Sequence, residues 1–177
     1  MTKVELAERI RAASYREGDF VLRSGRRSTF YVDKYLFETQ PDILAEVGRL
    51  LAAHAGAGTT RIAGAELGGV ALAAAASMAS GLPFLIVRNS RKDYGMGKLF
   101  EGHVENGDRV LLVEDIATTG GQVLEAARML SEFGATVEKI VAVVDRAEGA
   151  AENIRGAGYE FAALLTGKDL RLPGAAY

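Results

Sequence analysis

The sequence of 177 residues contains no cysteine, no tryptophan, three prolines and two histidines. The absence of cysteine excludes disulfide bonds and thiol nucleophiles, and neither His54 nor His103 has neighbours at the spacing of a metal site. A net charge of −2 gives no general attraction to nucleic acid. The most apolar stretch, residues 70–79, is too short to cross a bilayer. We therefore expect no nucleic-acid partner and no membrane segment, and the charged N-terminus, which is unlike a signal peptide, predicts a cytoplasmic protein.

The residues that are present have the proportions of an ordinary globular protein. Apolar residues make up 49% and charged residues 25% of the chain, whose length predicts one domain over residues 1–177. From Arg61 onward, short apolar runs alternate with helical patterns, which predicts a parallel sheet with helices on its faces. The expected helices are 2–13, 41–55, 70–80, 122–133 and 150–157, and the expected strands are 20–22, 29–33, 61–65, 84–87, 110–113, 137–144 and 159–165. The tail, 167–177, is expected to form one turn and then loose chain.

The segment from Val110 to Gln122 carries the strongest functional pattern. An apolar run, Val110–Val113, predicts a strand buried on both faces, and two carboxylates, Glu114 and Asp115, follow it. Two threonines and two glycines come next, before a helical pattern begins. Ligands of open α/β sheets bind outside the carboxyl ends of the strands.

The chemistry of this segment suits a sugar phosphate. Backbone N–H groups at a helix N-terminus, small residues and hydroxyl donors favour a phosphate. Ionised carboxylates accept hydrogen bonds, so they suit the vicinal hydroxyls of a ribose. The pattern predicts a ribose 5-phosphate site; the alternative is a plain turn with helix-capping residues. The spacings of a Walker-A loop and of a Rossmann dinucleotide site are absent.

Three other segments leave two interpretations each. The glycine pair Gly68-Gly69 either relieves crowding between a strand and a helix or exposes N–H groups to a second phosphate. Residues 88–105, which lack periodicity and contain several cations and glycines, form either a lid over an anionic ligand or a solvated loop. Arg146, just past a strand end, either faces the ligand or forms an ion pair with Asp145.

The central motif resembles the binding motif of type I phosphoribosyltransferases, and three other segments resemble orotate phosphoribosyltransferases in particular. These segments are Ser24–Ser28 with Phe30–Tyr35, Lys92–Gly95 after Arg88, and Val144–Arg146. The resemblance runs from about Phe20 to Gly149. It implies an α/β, type I phosphoribosyltransferase fold: a mostly parallel central sheet flanked by helices, with a small N-terminal hood (residues 1–40) and a flexible catalytic loop (residues 88–105).

The resemblance also implies an activity and a set of site residues. The enzyme would transfer the 5-phosphoribosyl group of phosphoribosyl pyrophosphate (PRPP) to orotate, giving orotidine 5'-monophosphate and pyrophosphate in pyrimidine biosynthesis. Its catalytic residues would be Lys92 and Asp115. Its PRPP-binding residues would be Gly68, Gly69, Arg88, Lys92, Tyr94, Glu114, Asp115, Ile116, Ala117, Thr118, Thr119, Gly120, Gly121 and Gln122. Its orotate-binding residues would be Arg23, Phe30, Tyr31, Thr118 and Arg146.

The resemblance further implies Mg²⁺ as cofactor and a homodimer in which loop 88–105 reaches the partner's site. The metal would be bound by PRPP oxygens and would have no direct protein ligand. Asp115 would contact it at most through a bridging water molecule. Asn89 and Gly68 stand where relatives carry lysines, which should weaken PRPP binding. Two alternatives are a phosphoribosyltransferase for a purine or another base and a PRPP-sensing regulator; the regulator would need a DNA-binding appendage, and none is visible.

Overall fold

The computed structural model describes residues 1–21, 25, 27–89 and 99–174. Within this part of the chain there are six helices and eight strands. The helices are α1 (Lys3–Ser14), α2 (Lys34–Glu38), α3 (Pro41–Ala52), α4 (Gly68–Ser80), α5 (Gly121–Phe133) and α6 (Ala150–Gly156). The strands are β1 (Tyr15–Val21), β2 (Arg27–Val32), β3 (Arg61–Ala65), β4 (Phe84–Val87), β5 (Phe100–Glu101), β6 (Arg109–Ala117), β7 (Thr136–Asp145) and β8 (Phe161–Thr166).

The main sheet has six strands in the order β5-β4-β3-β6-β7-β8. Every neighbouring pair is parallel except β4 and β5, which are antiparallel. The predicted, mostly parallel sheet is therefore confirmed, with β6 near its middle. Because the strands β3, β4, β6, β7 and β8 run the same way, their carboxyl ends meet along one edge of the sheet.

Two apolar layers cover the faces of this sheet. Alternate residues of β6 point to opposite faces: Leu111 and Val113 pack with α1 to α4, and Val110 and Leu112 pack with α5 and α6. All four side chains are at most 1% exposed. A strand buried on both faces needs apolar residues at every position, which is why the run Val110–Val113 was readable from the sequence.

The N-terminal hood consists of α1, the antiparallel hairpin β1–β2 and the short helix α2. Helix α1 begins with a capping box, in which the Thr2 hydroxyl accepts from the Glu5 N–H and the Glu5 carboxylate accepts from the Thr2 N–H. Two expectations were wrong here. Strand β1 begins at Tyr15 and not at residue 20, because the mostly exposed hairpin carries little apolar pattern. Helix α2 was not expected, since five residues are too few to show a helical period.

Three further boundaries differ from the expectation. Strand β6 continues through both acids to Ala117, because pairing with β7 extends to Asp145 although the apolar run has ended. Phe100 and Glu101 add a short antiparallel strand to the segment expected to lack structure. The tail is docked and not loose as far as residue 172: Leu170 is 1% exposed, and Arg11 donates to its carbonyl at 2.7 Å. Two isolated leucines give no period, so the sequence did not indicate this docking.

In the part of the chain that the structure describes, no helix combines the length and the apolar character that crossing a bilayer requires.

Candidate active site

The turn after β6 surrounds a cavity of about 170 Å³. Its lining contains eight of the residues expected around PRPP: Glu114, Ile116, Ala117, Thr118, Thr119, Gly120, Gly121 and Gln122. Gly120 has a φ of 77°, a left-handed conformation that favours glycine, and helix α5 begins at the next residue. The first N–H groups of a helix have no partner within the helix. The cavity therefore joins backbone donors, hydroxyls and a carboxylate, as the sequence predicted.

Glu114 and Asp115 leave β6 on opposite faces of the sheet, because successive strand side chains alternate. Glu114 borders the cavity, whereas Asp115 points toward the start of α4 and toward α2. Their exposed fractions are 8% and 2%. Burial, followed by the neighbouring carboxyl group of Asp115, raises the pKa of Glu114 well above its ordinary value. The two acids thus sit at one place in the sequence but in two environments.

Asp115 is held by Lys34, a residue that the sequence did not single out for the site. The Lys34 Nζ lies 2.6 Å from Asp115 Oδ2, and the Ile116 N–H donates to Asp115 Oδ1. Burial would lower the pKa of the Lys34 ammonium, but the hydrogen bond and charge of Asp115 outweigh it, and the pKa is raised. The two residues are 81 positions apart, so no local spacing connects them.

Glu38 is a second charged residue that the sequence did not indicate. Its side chain is buried, with 4% of the residue exposed, and in the part of the chain that the structure describes its Oε1 has no hydrogen-bond partner. Burial, followed by the charge of Asp115, raises the pKa of Glu38 to about 8. This carboxyl group is therefore largely protonated at neutral pH.

The glycine pair at the start of α4 serves close packing. A Cβ on Gly69 would lie 2.9 Å from the Gly64 backbone, and a Cβ on Gly68 would lie 1.5 Å from Asp115 Oδ2. Of the two interpretations left open by the sequence, relief of crowding is thus supported directly. A pyrophosphate contact of these glycines stays a prediction. The missing side chain at residue 68 gives Asp115 its space.

A polar network joins the turns after β3, β4 and β6. The Gln122 amide donates to the Glu66 carbonyl and to Asn89 Oδ1, both at 3.1 Å, and the Asn89 N–H donates to Glu66 Oε1 at 2.8 Å. The Arg88 guanidinium lies 3.8 Å from Glu66 and 3.5 Å from Glu101. Asn89 therefore contributes to the structure of this edge. Arg88 and Gln122, which are expected to contact PRPP, lie at the carboxyl edge of the sheet. In this structure their side chains contact other protein groups.

Some of the residues expected around orotate lie close to one another. The Arg146 guanidinium is 5.6 Å from the centroid of the Phe30 ring and forms an ion pair with Glu148 at 2.8 Å. Asp145 instead accepts from the Ala147 N–H at 2.8 Å. Tyr31, the neighbour of Phe30 on β2, is 44% exposed. Arg146 thus lies beside the hood with Glu148, and not Asp145, as its acidic partner, and a contact of Arg146 with a ligand stays a prediction.

Three of the expected site residues lie outside the described residues: Arg23, Lys92 and Tyr94. The described residues contain no group of three or more acidic or histidine side chains that could hold a metal ion. Asp115, the acid best placed to contribute, already accepts from Lys34. A Mg²⁺ ion carried on PRPP oxygens stays a prediction.

A larger cavity of about 490 Å³ lies at the opposite edge of the sheet, beside the starts of β6 and β7. Its charged lining residues are already paired: Arg109 with Glu138, and Lys139 with Glu160 at 3.4 Å. Ligands of such sheets bind at the carboxyl edge. The smaller cavity beside Glu114 is therefore the candidate active site.

Comparison with known proteins identifies the family of this chain. Residues 37–157 match the model of the phosphoribosyl transferase domain. The chain is 44% identical over 167 residues to the orotate phosphoribosyltransferase of Methanocella arvoryzae, covering 94% of each chain.

Solved structures of the Mycobacterium tuberculosis H37Rv orotate phosphoribosyltransferase are also similar. Its complex with Fe(III) dicitrate has a TM-score of 0.85 and 37% identity, and its complex with PRPP has a TM-score of 0.80 and 35% identity. Each similarity covers 96% of this chain and 99% of the other. The chain thus belongs to the phosphoribosyltransferase family, among the orotate phosphoribosyltransferases.

Proposed function

We propose that this protein transfers the 5-phosphoribosyl group of PRPP to orotate, giving orotidine 5'-monophosphate and pyrophosphate in pyrimidine biosynthesis. The observation that carries the proposal is the cavity at the N-terminus of α5, which Glu114 borders, with Asp115 next in the chain on the other face of β6. The cavity supplies donors for the 5-phosphate, and the two acids would supply acceptors for the ribose hydroxyls. The mycobacterial relative was solved with PRPP, which supports the same substrate for this chain.

The charge changes of the reaction explain the distribution of these groups. Breaking the bond between C1 of the ribose and pyrophosphate builds positive charge on the sugar and negative charge on the leaving group. Glu114 and Asp115 would position the sugar, with Asp115 shielding part of its positive charge. Arg88, together with Lys92 from outside the described residues, would stabilise the departing pyrophosphate. Mg²⁺ bound to PRPP oxygens would supply further positive charge at the leaving group.

Orotate would lie between the hood and the end of β7. The Arg146 guanidinium, 5.6 Å from the Phe30 ring, can pair with an orotate carboxylate or carbonyl in a fixed fork. The backbone of Phe30 and Tyr31 and the hydroxyl of Thr118 would complete the base site, with Arg23 from outside the described residues. A ring nitrogen of orotate then attacks C1, and no covalent bond to the protein is needed.

A spectrophotometric assay tests this function. With PRPP and Mg²⁺ present, orotate should be consumed, and it should not be consumed when either is omitted. Adenine, hypoxanthine and uracil are run in parallel. Equal or faster turnover of a purine, with orotate inert, would overturn the assignment in favour of a purine phosphoribosyltransferase.

The homodimer is part of the proposal. Loop 88–105 of each chain would reach the partner's site, so that Lys92 and Asp115 of one site come from different chains. Lys92→Ala and Asp115→Asn homodimers should each be nearly inactive. Co-refolding should restore about one quarter of wild-type activity, because about half of the dimers are mixed and each contains one intact site. A mixture that stays inactive, with subunit exchange verified, would place the loop in its own chain's site.

The single domain over residues 1–177 and the cytoplasmic location stay predictions.

A further inference from the structure

Helix α2 presents two ionisable side chains to Asp115. Lys34 and Glu38 are four residues apart, so they lie on the same face of the helix. The Lys34 Nζ is 2.6 Å from Asp115 Oδ2, and Glu38 is buried within range of the charges of both residues. Neither Lys34 nor Glu38 has a role in the reaction as derived above. The short helix therefore brings an unassigned ion pair and an unassigned acid to the ribose side of the site.

The contact leaves Asp115 able to bind a sugar. Its Oδ2 accepts from Lys34 and its Oδ1 accepts from the Ile116 N–H. The neighbouring Glu114 carboxyl is a third partner of this carboxylate. The two oxygens have four lone pairs in all, so at least one remains for a ribose hydroxyl. These partners fix the orientation of the carboxylate without using up its capacity to accept.

The surroundings explain why a cation is needed at this position. Asp115 is 2% exposed, and a Cβ on Gly68 would meet its Oδ2, so the Gly68 backbone packs against the carboxylate on that side. Glu114 and Glu38 place two more carboxyl groups nearby. An isolated buried carboxylate beside other acids tends to take up a proton, and a protonated acid accepts fewer hydrogen bonds.

Lys34 also connects the two halves of the site. Lys34 follows Asp33, the N-cap residue of α2. Asp33 comes directly after β2, the strand that carries Phe30 and Tyr31. We propose that Lys34 is a positioning residue of the transferase reaction, which places a positive charge beside the Asp115 carboxylate and holds it in the orientation that accepts the ribose hydroxyls. The inference rests on the proposed function, because it assigns Asp115 to the ribose of PRPP.

The first test compares steady-state constants. Lys34→Met removes the charge at similar length, and we expect kcat/KM for PRPP to fall about tenfold to hundredfold, as for loss of a buried charged hydrogen bond. The KM for orotate should stay within about twofold, because Lys34 contacts Asp115 and no group assigned to the base. Lys3→Met is the matched control, since Lys3 forms an exposed ion pair with Asp169 at 3.0 Å, and such pairs contribute little. An unchanged kcat/KM for PRPP in folded Lys34→Met would overturn the proposal.

The second test is a double-mutant cycle with Asp115→Asn. If Lys34 acts through Asp115, the double variant Lys34→Met/Asp115→Asn should have the kcat/KM for PRPP of Asp115→Asn alone. A further loss of about tenfold or more would show that Lys34 acts elsewhere and would contradict the proposal. This comparison also remains available if Lys34→Met does not fold, because the double variant has no unpaired charge at the Lys34–Asp115 position.

The third test is the pH profile of kcat/KM for PRPP. The ionisable groups on the elements around the pair are Asp33, Tyr35, Glu38 and Glu114. Losing the ammonium should move the acidic limb of the profile to higher pH in Lys34→Met, and Lys34→Arg should restore it toward wild type. A limb that does not move would overturn the proposal. Calorimetric PRPP binding by the same variants, without orotate, separates a failure of this inference from a failure of orotate turnover.

Discussion

The two acids at the end of β6 lie in contrasting environments, although they are adjacent in the sequence. On the Glu114 side, the cavity is formed by one continuous segment, residues 114–123. On the Asp115 side, the contacts come from Lys34 on α2 and Gly68 at the start of α4. The first side is dominated by backbone donors of a turn and a helix N-terminus, and the second by a buried ion pair. A phosphate-binding turn can thus be encoded locally, whereas orienting a buried carboxylate requires distant parts of the chain.

A substitution at Gly68 should disrupt the Asp115 side most strongly. In Gly68→Ala the new Cβ would lie 1.5 Å from Asp115 Oδ2, so the carboxylate must leave its place beside Lys34. We expect kcat/KM for PRPP to fall about hundredfold or more, since overpacking and loss of a charged hydrogen bond combine. Steady-state kinetics measures the loss.

Gly156→Ala is the control for this substitution, because a Cβ at Gly156 meets no atom within 4 Å. Its activity should equal that of wild type. A fully active Gly68→Ala enzyme would mean that Asp115 functions equally well in another position, and the contrast between the two sides would then be wrong.

Arg146 tests whether the base site is separate from both acids. Removing a guanidinium that pairs with orotate should cost about 2–3 kcal/mol. Arg146→Ala should therefore raise the KM for orotate far more than the KM for PRPP, as measured by varying each substrate at saturation of the other. Arg9→Ala, which breaks an exposed ion pair with Asp42, should leave both constants near wild type. Equal losses for both substrates would mean that Arg146 supports the fold, for example through Glu148.

The Glu114 side of this site was more predictable from the sequence than the Asp115 side, for physical reasons. The strand, the acids and the Thr-Gly turn are consecutive, so their order alone indicated the ribose phosphate site. The Lys34–Asp115 pair spans 81 positions, and only the packing of α2 against β6 brings it together. The segment Phe30–Tyr35 was recognised as a family signature, but its lysine has no local pattern that indicates a role at the ribose. Glu38 was missed because its segment has no helical period, so nothing in the sequence indicates that this acidic side chain is buried.

Glu38 should affect the stability of the protein in a pH-dependent way. Among the substitutions at Gly68, Arg146 and Glu38, we expect this one to have the smallest effect. Its pKa is raised to about 8, so between the unfolded value near 4.3 and about 8 the folded state binds more protons. Stability from this group is therefore present at low pH and is lost as the pH rises through that window. Glu38→Gln, which cannot ionise, should be clearly more stable than wild type at pH 8.5 and nearly equal to it at pH 4.5.

Glu46 provides the opposite case as a control. Its hydrogen bond to Arg49 lowers its pKa to about 2, so its contribution is present above the unfolded pKa and is lost as the pH falls toward 2. Glu46→Gln should therefore be less stable than wild type at neutral pH. Chemical denaturation at several pH values measures both variants. A Glu38→Gln protein that is less stable than wild type at pH 8.5 would mean that Glu38 is ionised and paired.

The division of the site into a phosphate side and a ribose side is tested most directly by calorimetric titration of inorganic phosphate and ribose 5-phosphate. The two ligands are compared on wild type and Asp115→Asn. We predict that Asp115→Asn keeps its phosphate affinity within about twofold, because the proposed phosphate site is formed by residues 117–121, and loses about tenfold for ribose 5-phosphate. An equal loss for both ligands, or an unchanged affinity for ribose 5-phosphate, would contradict the account.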